Sequence, residues 1–247
     1  MGMGLTIPNI SNLPGVSRPG SASGSSLLLN SGGSNGVITL PIAFDIVGPA
    51  TPEAVVSFWV NSVQDNPSNS IFADTNASNI MTLNGGIYAS GEYIQNTFRP
   101  AATPLPPTQF LISDLSMPYK KNTWFNLVMR FNGTNNSIDF FVNGLKQSST
   151  STQTTNTYTG QYIGNSNSLN SGFKGYITQV SLFKESLSDG EISTILYDDG
   201  KPGDISSINP FAWYKLDDGK KNEAFDSGSG ANHANISGAF EWSTVYP

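Results

Sequence analysis

The chain has 247 residues, of which 12% are charged and 11% aromatic, with a formal net charge of −6 and no cysteine. The missing cysteine excludes disulfides, thiolate metal sites and cysteine nucleophiles. The acidic balance, with no stretch of clustered Lys or Arg, excludes recognition of nucleic acid or of an anionic membrane by charge.

Residues 1–25 read as an extended arm, because Pro8, Pro14, Pro19 and the Gly/Ser run at 20–25 forbid a helix. Within it Leu5, Ile7, Ile10, Leu13 and Val16 recur. Either these are incidental apolar residues of a tail, or they dock on a partner, since a solvated linker gains nothing from five aliphatic side chains. The arm lacks the charged-then-apolar layout of a secretory signal, and no apolar run reaches the roughly 20 residues that span a bilayer.

From Ser26 onward, short runs of Val, Ile, Phe and Tyr alternate with Ser, Thr, Asn and Gly, which is an all-β pattern. Leu27–Leu29 and Val37–Leu40 are expected as strands flanking a Gly-rich turn, and Val55–Val60 as a buried strand containing Trp59. The Pro-rich stretch 99–107 is expected as a long surface loop. Phe125, Leu127, Met129 and Phe131 alternate with Trp124, Asn126, Val128 and Arg130, a period of two. Ile138, Phe140 and Val142 follow on one face, and Asn143-Gly144 predicts a two-residue type I′ hairpin, because both residues accept positive φ. A further strand is expected at 176–183. Ser188 and Glu191 have the spacing of a capping box, with Ile192, Ile195 and Leu196 on one face of a short helix closed by Gly200 and Pro202.

Several of these segments together resemble a known family. Leu27–Leu29 with Val37–Pro41, then Val56–Val60, resemble the opening strands of laminin-G/concanavalin A-like jelly rolls. Asn122–Leu127, Asn132–Thr134 and Phe140–Gly144 resemble that family's hairpin; Tyr162–Gly164, Phe173–Ile177 and Leu187–Ile192 resemble its closing strands and helix. The resemblance implies a lectin-like β-sandwich over residues 26–247 with one short helix. Trp213–Asp218 and Asp226–Gly230 resemble a segment that precedes the sandwich in many members, yet here it follows the helix. Residues 204–247 are therefore expected to fold back as displaced strands, with donation to a neighbouring chain as the alternative.

A retaining glycosidase needs two carboxyl groups about 5 Å apart, commonly from one strand. Glu53, Glu92, Glu185, Glu191, Glu223 and Glu241 are scattered, and Asp139 stands alone in an aromatic strand. His233, the one histidine, cannot furnish a zinc site without other nitrogen or sulfur ligands, and no serine near it reads as a nucleophile elbow. No enzyme activity is expected. Asp217, Asp218 and Asp226 are weak calcium candidates, weighed against turn chemistry for the same residues; no cofactor is otherwise expected. Tyr88, Tyr93 and Trp242 are the rings offered for glycan contact, whereas Trp59 and Trp124 read as core. The resemblance extends to accessory head and tail proteins of tailed bacteriophages. It implies a virion-associated structural protein that docks on other assembly proteins through its arm, is oligomeric or lattice-bound, and displays a glycan-binding sandwich. A secreted, extracellular carbohydrate-binding module, or a glycoside hydrolase, is the alternative.

Overall fold

The computed structural model describes residues 24–30, 32, 35–47, 53–64, 68–74, 79–88, 91–97, 109–112, 120–132, 137–151, 158–165, 172–219 and 222–247; between 79 and 112 it describes the backbone alone. The Pro-rich stretch and residues 1–23 lie outside the described residues. The strands in chain order are β1 (Ser26–Leu29), β2 (Val37–Val47), β3 (Glu53–Ser62), β4 (Ser68–Asp74), β5 (Asn79–Tyr88), β6 (Gly91–Thr97), β7 (Gln109–Ile112) and β8 (Phe125–Asn132). They continue as β9 (Ser137–Val142), β10 (Leu145–Ser151), β11 (Tyr158–Ile163), β12 (Gly175–Phe183), β13 (Ala212–Tyr214), β14 (Glu223–Ala224), β15 (Ala234–Ser237) and β16 (Phe240–Ser243). Sheet I runs β10-β9-β8-β3-β12-β1-β16, with β13 also paired to β12. Sheet II runs β14-β15-β2-β11-β4-β5-β6-β7. The result is the all-β sandwich that the alternating patterns predict.

Between the sheets lies a core that includes Leu27, Leu29, Ile38, Phe44, Val56, Phe58, Val60, Phe72, Phe125, Leu127, Phe131, Phe140 and Ile177. Burying each such side chain contributes roughly 1.5–3 kcal/mol. Alternation then sends Val55, Val128, Phe141 and Phe183 to the outer face of sheet I, where Leu187, Ile192, Leu196, Ile205 and Trp213 cover them as a second core. That cover explains why β3 is buried on both faces from Ala54 to Trp59.

The capping box forms: the Glu191 N–H donates to Ser188 Oγ at 3.2 Å, and the Ser188 N–H donates to Glu191 Oε2 at 2.7 Å. Regular helix α1 (Asp189–Glu191) is shorter than the pattern predicts and loosens into a π turn over Ile192–Leu196. Its attachment to the sheet is ionic as well as apolar. Arg130 donates to Asp139 Oδ2 at 2.6 Å and to the Leu187 carbonyl at 2.7 Å, pairs with Asp189 at 2.7 Å and lies 5.0 Å over the Phe141 ring. Lys146 meets the other Asp139 oxygen at 3.0 Å. Asp139, which stands alone in its strand by sequence, is thus held by two cations from flanking strands.

Asn143 and Gly144 both adopt positive φ (49° and 75°), and Leu145 pairs with Val142, as a type I′ turn requires. The strands around the Gly-rich turn at 31–36 behave differently from a hairpin: β1 joins sheet I and β2 joins sheet II. Asn30, at φ 60°, makes the crossing by donating to the Phe173 carbonyl at 2.8 Å while its Oδ1 accepts from the Gly36 N–H at 2.5 Å. Pro41 sits inside β2 without breaking sheet II because the β11 pairing skips from Thr39 to Phe44, leaving Pro41 at an irregularity.

The late segment returns to both sheets of the same chain. β13 pairs with the second half of β12, β16 with β1, and β14 and β15 extend sheet II from β2. The edge of β12 is thereby shared end to end, with β1 covering 175–177 and β13 covering 180–182. At the junction Gln179 takes φ 48°, and Thr178 Oγ1 donates to the carbonyls of Ser25 (2.9 Å) and Lys215 (2.8 Å).

Candidate functional site

The outer face of sheet I is built by simple alternation. Val56, Phe58, Val60, Phe125 and Ile177 face the inter-sheet core, so their neighbours Asn61, Trp124 and Tyr176 point the other way. Tyr176 pairs with Asn61 and Leu28, and Leu28 pairs with Glu241; Trp124 directly precedes Phe125, the partner of Val60. Trp124, Asn61, Tyr176, Leu28 and Glu241 therefore form one row across the sheet. A second row holds Asn126, Trp59 and Thr178, and a third holds Phe141, Val128, Ser57, Ser181 and Trp213.

The cover from 184–208 ends at the second row. There Trp59 donates from Nε1 to the Leu196 carbonyl at 3.3 Å and stacks on Tyr197, with centroids 5.7 Å apart and planes at 12°. The first row lies beyond that cover. Trp124 and Tyr176 are half-buried and their ring centroids approach to 6.3 Å at 46°. Their strands flank β3 on opposite sides, roughly 10 Å apart, so the rings lean toward each other across it. Asn61, at the middle of that row, is only 4% exposed although it faces outward.

Buried polar side chains are normally hydrogen-bonded, and an orphaned one costs about 1–3 kcal/mol. Among the described residues four buried side-chain atoms lack a partner: Asn61 Oδ1, Asn126 Oδ1, Ser181 Oγ and Ser70 Oγ. The first three all lie on this outer face. Asn126 Nδ2 donates to Ser57 Oγ at 3.1 Å, which leaves its carbonyl oxygen turned away from that bond. Ser181 lines a small pit with Ser57, Trp59, Gln179 and Trp213. Trp213 Nε1 donates to Gln179 Oε1 at 2.8 Å, and Gln179 Nε2 donates to the Tyr246 hydroxyl at 3.1 Å. Burial pushes the Tyr246 hydroxyl above its ordinary pKa, against the hydrogen bond from Gln179. Unsatisfied amides beneath half-exposed rings are what a ligand supplying donors would complete, and this face is the candidate site.

The sandwich frame carrying that face is itself diagnostic. The family model for the concanavalin A-like lectin/glucanases superfamily matches residues 32–193, well over half of the chain. The chain belongs to the concanavalin A-like superfamily. In fold, this member is similar to a Bacteroides ovatus ATCC 8483 protein proposed to bind carbohydrate (TM-score 0.60, 15% identity, covering 90% of this chain and 59% of that one). It is equally similar to a heptameric SAP-like pentraxin from Limulus polyphemus (TM-score 0.60, 10% identity, covering 89% and 94%). The chain thus spans less than two thirds of the first of these proteins and nearly all of the second. No curated protein matches its sequence.

The residues singled out from the sequence fall elsewhere in this concanavalin A-like sandwich. Leu5, Ile7, Ile10, Leu13 and Val16 lie outside the described residues. Tyr88 and Tyr93 belong to β5 and β6, where Tyr93 pairs with Gly86 and Tyr88 with Gly91; their side chains also lie outside the described residues. Trp242, expected as an exposed ring, is half-buried against the inter-sheet core, because β16 pairs in register with β1 (Leu27 to Trp242) and inherits its inward face. Trp124, expected in the core, instead precedes β8 on the outer face.

The acidic residues offered for calcium act in the local loops. Asp226 Oδ1 accepts from the backbone N–H groups of Trp213 and Gly228 and its Oδ2 from that of Asn232, each at 2.7 Å. These charge-assisted bonds clip three chain segments together. Asp218 Oδ2 accepts from the Phe225 N–H at 3.1 Å, and Asp217 is half-buried nearby. Among the described residues no three His, Cys, Asp or Glu side chains gather in a metal-holding group. His233 accepts from the Asp226 N–H through Nδ1 at 3.0 Å and meets Phe225 edge-on at 5.0 Å.

Asn61, Asn126 and Tyr176 went unnoticed in the sequence as site residues. The signal was there in one respect: Asn61 is a carboxamide directly after the apolar run Phe58–Val60, and Asn126 follows Phe125 in β8. Only the register places them side by side.

Proposed function

We propose that this protein is a non-enzymatic glycan-binding module whose site is the outer-face row of Trp124, Asn61 and Tyr176. The observation that carries the reading is the buried, unpartnered side-chain oxygen of Asn61 in the row between two half-exposed rings. Sugars present apolar C–H faces that pack on aromatic rings and hydroxyls that donate to amide oxygens, and binding sites combine such apolar walls with a few placed polar groups. A hydroxyl that parts the rings would supply the donor Asn61 lacks. The membership in a superfamily of lectins and glucanases supports the sugar class, as does the fold shared with the Bacteroides ovatus protein. Against glucanase chemistry, the row presents a single carboxylate, Glu241, where retaining hydrolysis requires a pair about 5 Å apart.

The finer part of the proposal concerns context. The arm, through Leu5, Ile7, Ile10, Leu13 and Val16, anchors the sandwich to a larger assembly, with a virion as the setting and a secreted, extracellular module as the alternative. Calcium is proposed at most as an accessory near Asp217 and Asp218.

A glycan array tests the binding claim, with and without chelator. Wild-type protein is expected to bind a defined subset of sugars, and Trp124→Ala to lose at least tenfold in affinity while keeping its thermal transition. A blank array in calcium would sink the proposal. Deleting residues 1–23 should abolish incorporation into the native particle and leave array binding intact; full incorporation of the truncated chain contradicts the anchoring role.

A further inference from the structure

Alternation places Ser26 and Leu28 of β1, and Glu241 and Ser243 of β16, on the outer face of sheet I, because Leu27, Leu29, Phe240 and Trp242 face the inter-sheet core. The second row therefore runs on from Asn126, Trp59 and Thr178 to Ser26 and Ser243. Two separate segments cover it. Leu196 and Tyr197 close over Trp59. The C-terminal residues turn back over β1 and β16: Ser26 Oγ donates to the Val245 carbonyl at 2.6 Å, the Val245 N–H donates to Ser243 Oγ at 3.1 Å, and the Tyr246 hydroxyl accepts from Gln179. Asn126, Trp59, Thr178 and Ser26 are each at most 2% exposed as a result.

The first row escapes both covers. Trp124, Tyr176 and Leu28 are half-exposed and Glu241 is exposed, with the buried Asn61 set between the two rings. The row is one side chain wide and crosses β8, β3, β12, β1 and β16. Four interstrand steps make it about 19 Å long, the reach of about four pyranose units in a linear chain. Resting on the reading of the row as a glycan site, we infer that its ligand is a linear oligosaccharide laid across the strands, with Leu28 as the floor for the units beyond the two rings. The shape of the surface decides this. The covered second row stops a ligand from extending along the strands into the sheet, so further units add along the row, over Leu28 toward Glu241. Repeating C–H faces and hydroxyls match a floor that combines rings and an aliphatic side chain with the acceptor oxygens of Asn61 and Glu241. An extended peptide pairs instead with a free sheet edge, and here β3, β12 and β1 are each flanked by strands on both sides.

The test is an array carrying cello-, laminari-, manno- and chito-oligosaccharides, each as a ladder from the monosaccharide to about twice the length the row holds, beside branched cell-surface glycans. It is read for wild type, Leu28→Ala and Leu28→Tyr, with thermal transitions measured alongside. In at least one ladder, wild-type affinity is expected to rise by about three- to tenfold per unit up to about the tetrasaccharide, as each unit adds apolar contact, and then to level off. Leu28→Ala should lose about three- to tenfold for the tetrasaccharide and leave the disaccharide unchanged. Leu28→Tyr, which adds a ring to the floor, should gain for the tetrasaccharide alone; it keeps the test decisive if the alanine variant fails to fold. Equal affinity for mono-, di- and tetrasaccharide in every ladder, or binding confined to branched glycans, overturns the inference and leaves the glycan reading standing. A length dependence that neither Leu28 variant alters overturns it as well. Binding of no sugar at all overturns both.

Discussion

Asn61 illustrates how a single residue can be set against its own fold. It stands between the buried Val60 and Ser62 in β3, the registers with β8 and β12 set it between Trp124 and Tyr176, and its carboxamide oxygen has no donor. An orphaned acceptor costs the folded state about 1–3 kcal/mol, whereas a side chain with no polar atom leaves nothing to desolvate. Asn61→Ala is therefore expected to keep or raise stability by up to about 1 kcal/mol in urea titration, despite the small cavity it leaves, while glycan affinity falls. A variant that unfolds more easily and binds sugar normally would assign Asn61 to packing instead. Arg130 shows the contrary case. Burial disfavours its charge, but the hydrogen bonds to Asp139 and Asp189 outweigh that and hold the guanidinium pKa above its ordinary value, so its four contacts fasten the covering segment to the sheet.

That covering segment decides which part of the outer face remains available. Its only regular helix, α1, is three residues long and cannot stand on propensity; it is held by the capping box and by Ile192 and Leu196 against the sheet. The Ser188 backbone N–H, and then its hydroxyl, hold the Glu191 carboxyl below its ordinary pKa of 4.5. A carboxylate with a lowered folded-state value stabilises the fold above the unfolded value and loses that contribution as pH falls through the folded one. Ser188→Ala should cost about 1 kcal/mol at neutral pH, because it removes the oxygen that accepts from the Glu191 N–H; only the part due to the hydroxyl's own bond to Glu191 is lost as Glu191 protonates, since alanine keeps the backbone N–H. Urea titration at neutral pH checks this, and a variant as stable as wild type there would contradict the cap as the source. Asn143-Gly144 does similar work at the far end of β9, since both residues need positive φ and Gly144 lies close against Tyr197 and Ser193 of the cover.

At the scale of the molecule, the sandwich was legible because its signals are local: a two-residue alternation in β8 and β9, an Asn-Gly turn, and a capping box three residues long. What escaped the sequence was non-local. The split of β1 and β2 between sheets depends on the Asn30 crossing, and the displaced segment finds its place only through the edges left open on β12, β1 and β2. The same limit applies to the site. Trp124 reads as core because it lies in a strand pattern, yet it stands one residue ahead of β8 on the uncovered face; Trp242 is expected as an exposed ring, yet β16 turns it toward the core. Asn61, Trp124 and Tyr176 become neighbours only through the registers of β3 with β8 and β12. The central claim is that this row receives a sugar. Its most direct measurement is an NMR titration with the tightest-binding oligosaccharide from the array, following the Asn61 side-chain amide and the Trp124 indole N–H. The account predicts that these two resonances shift together and saturate with the measured affinity; saturation that leaves both unmoved while resonances on another surface shift would contradict it.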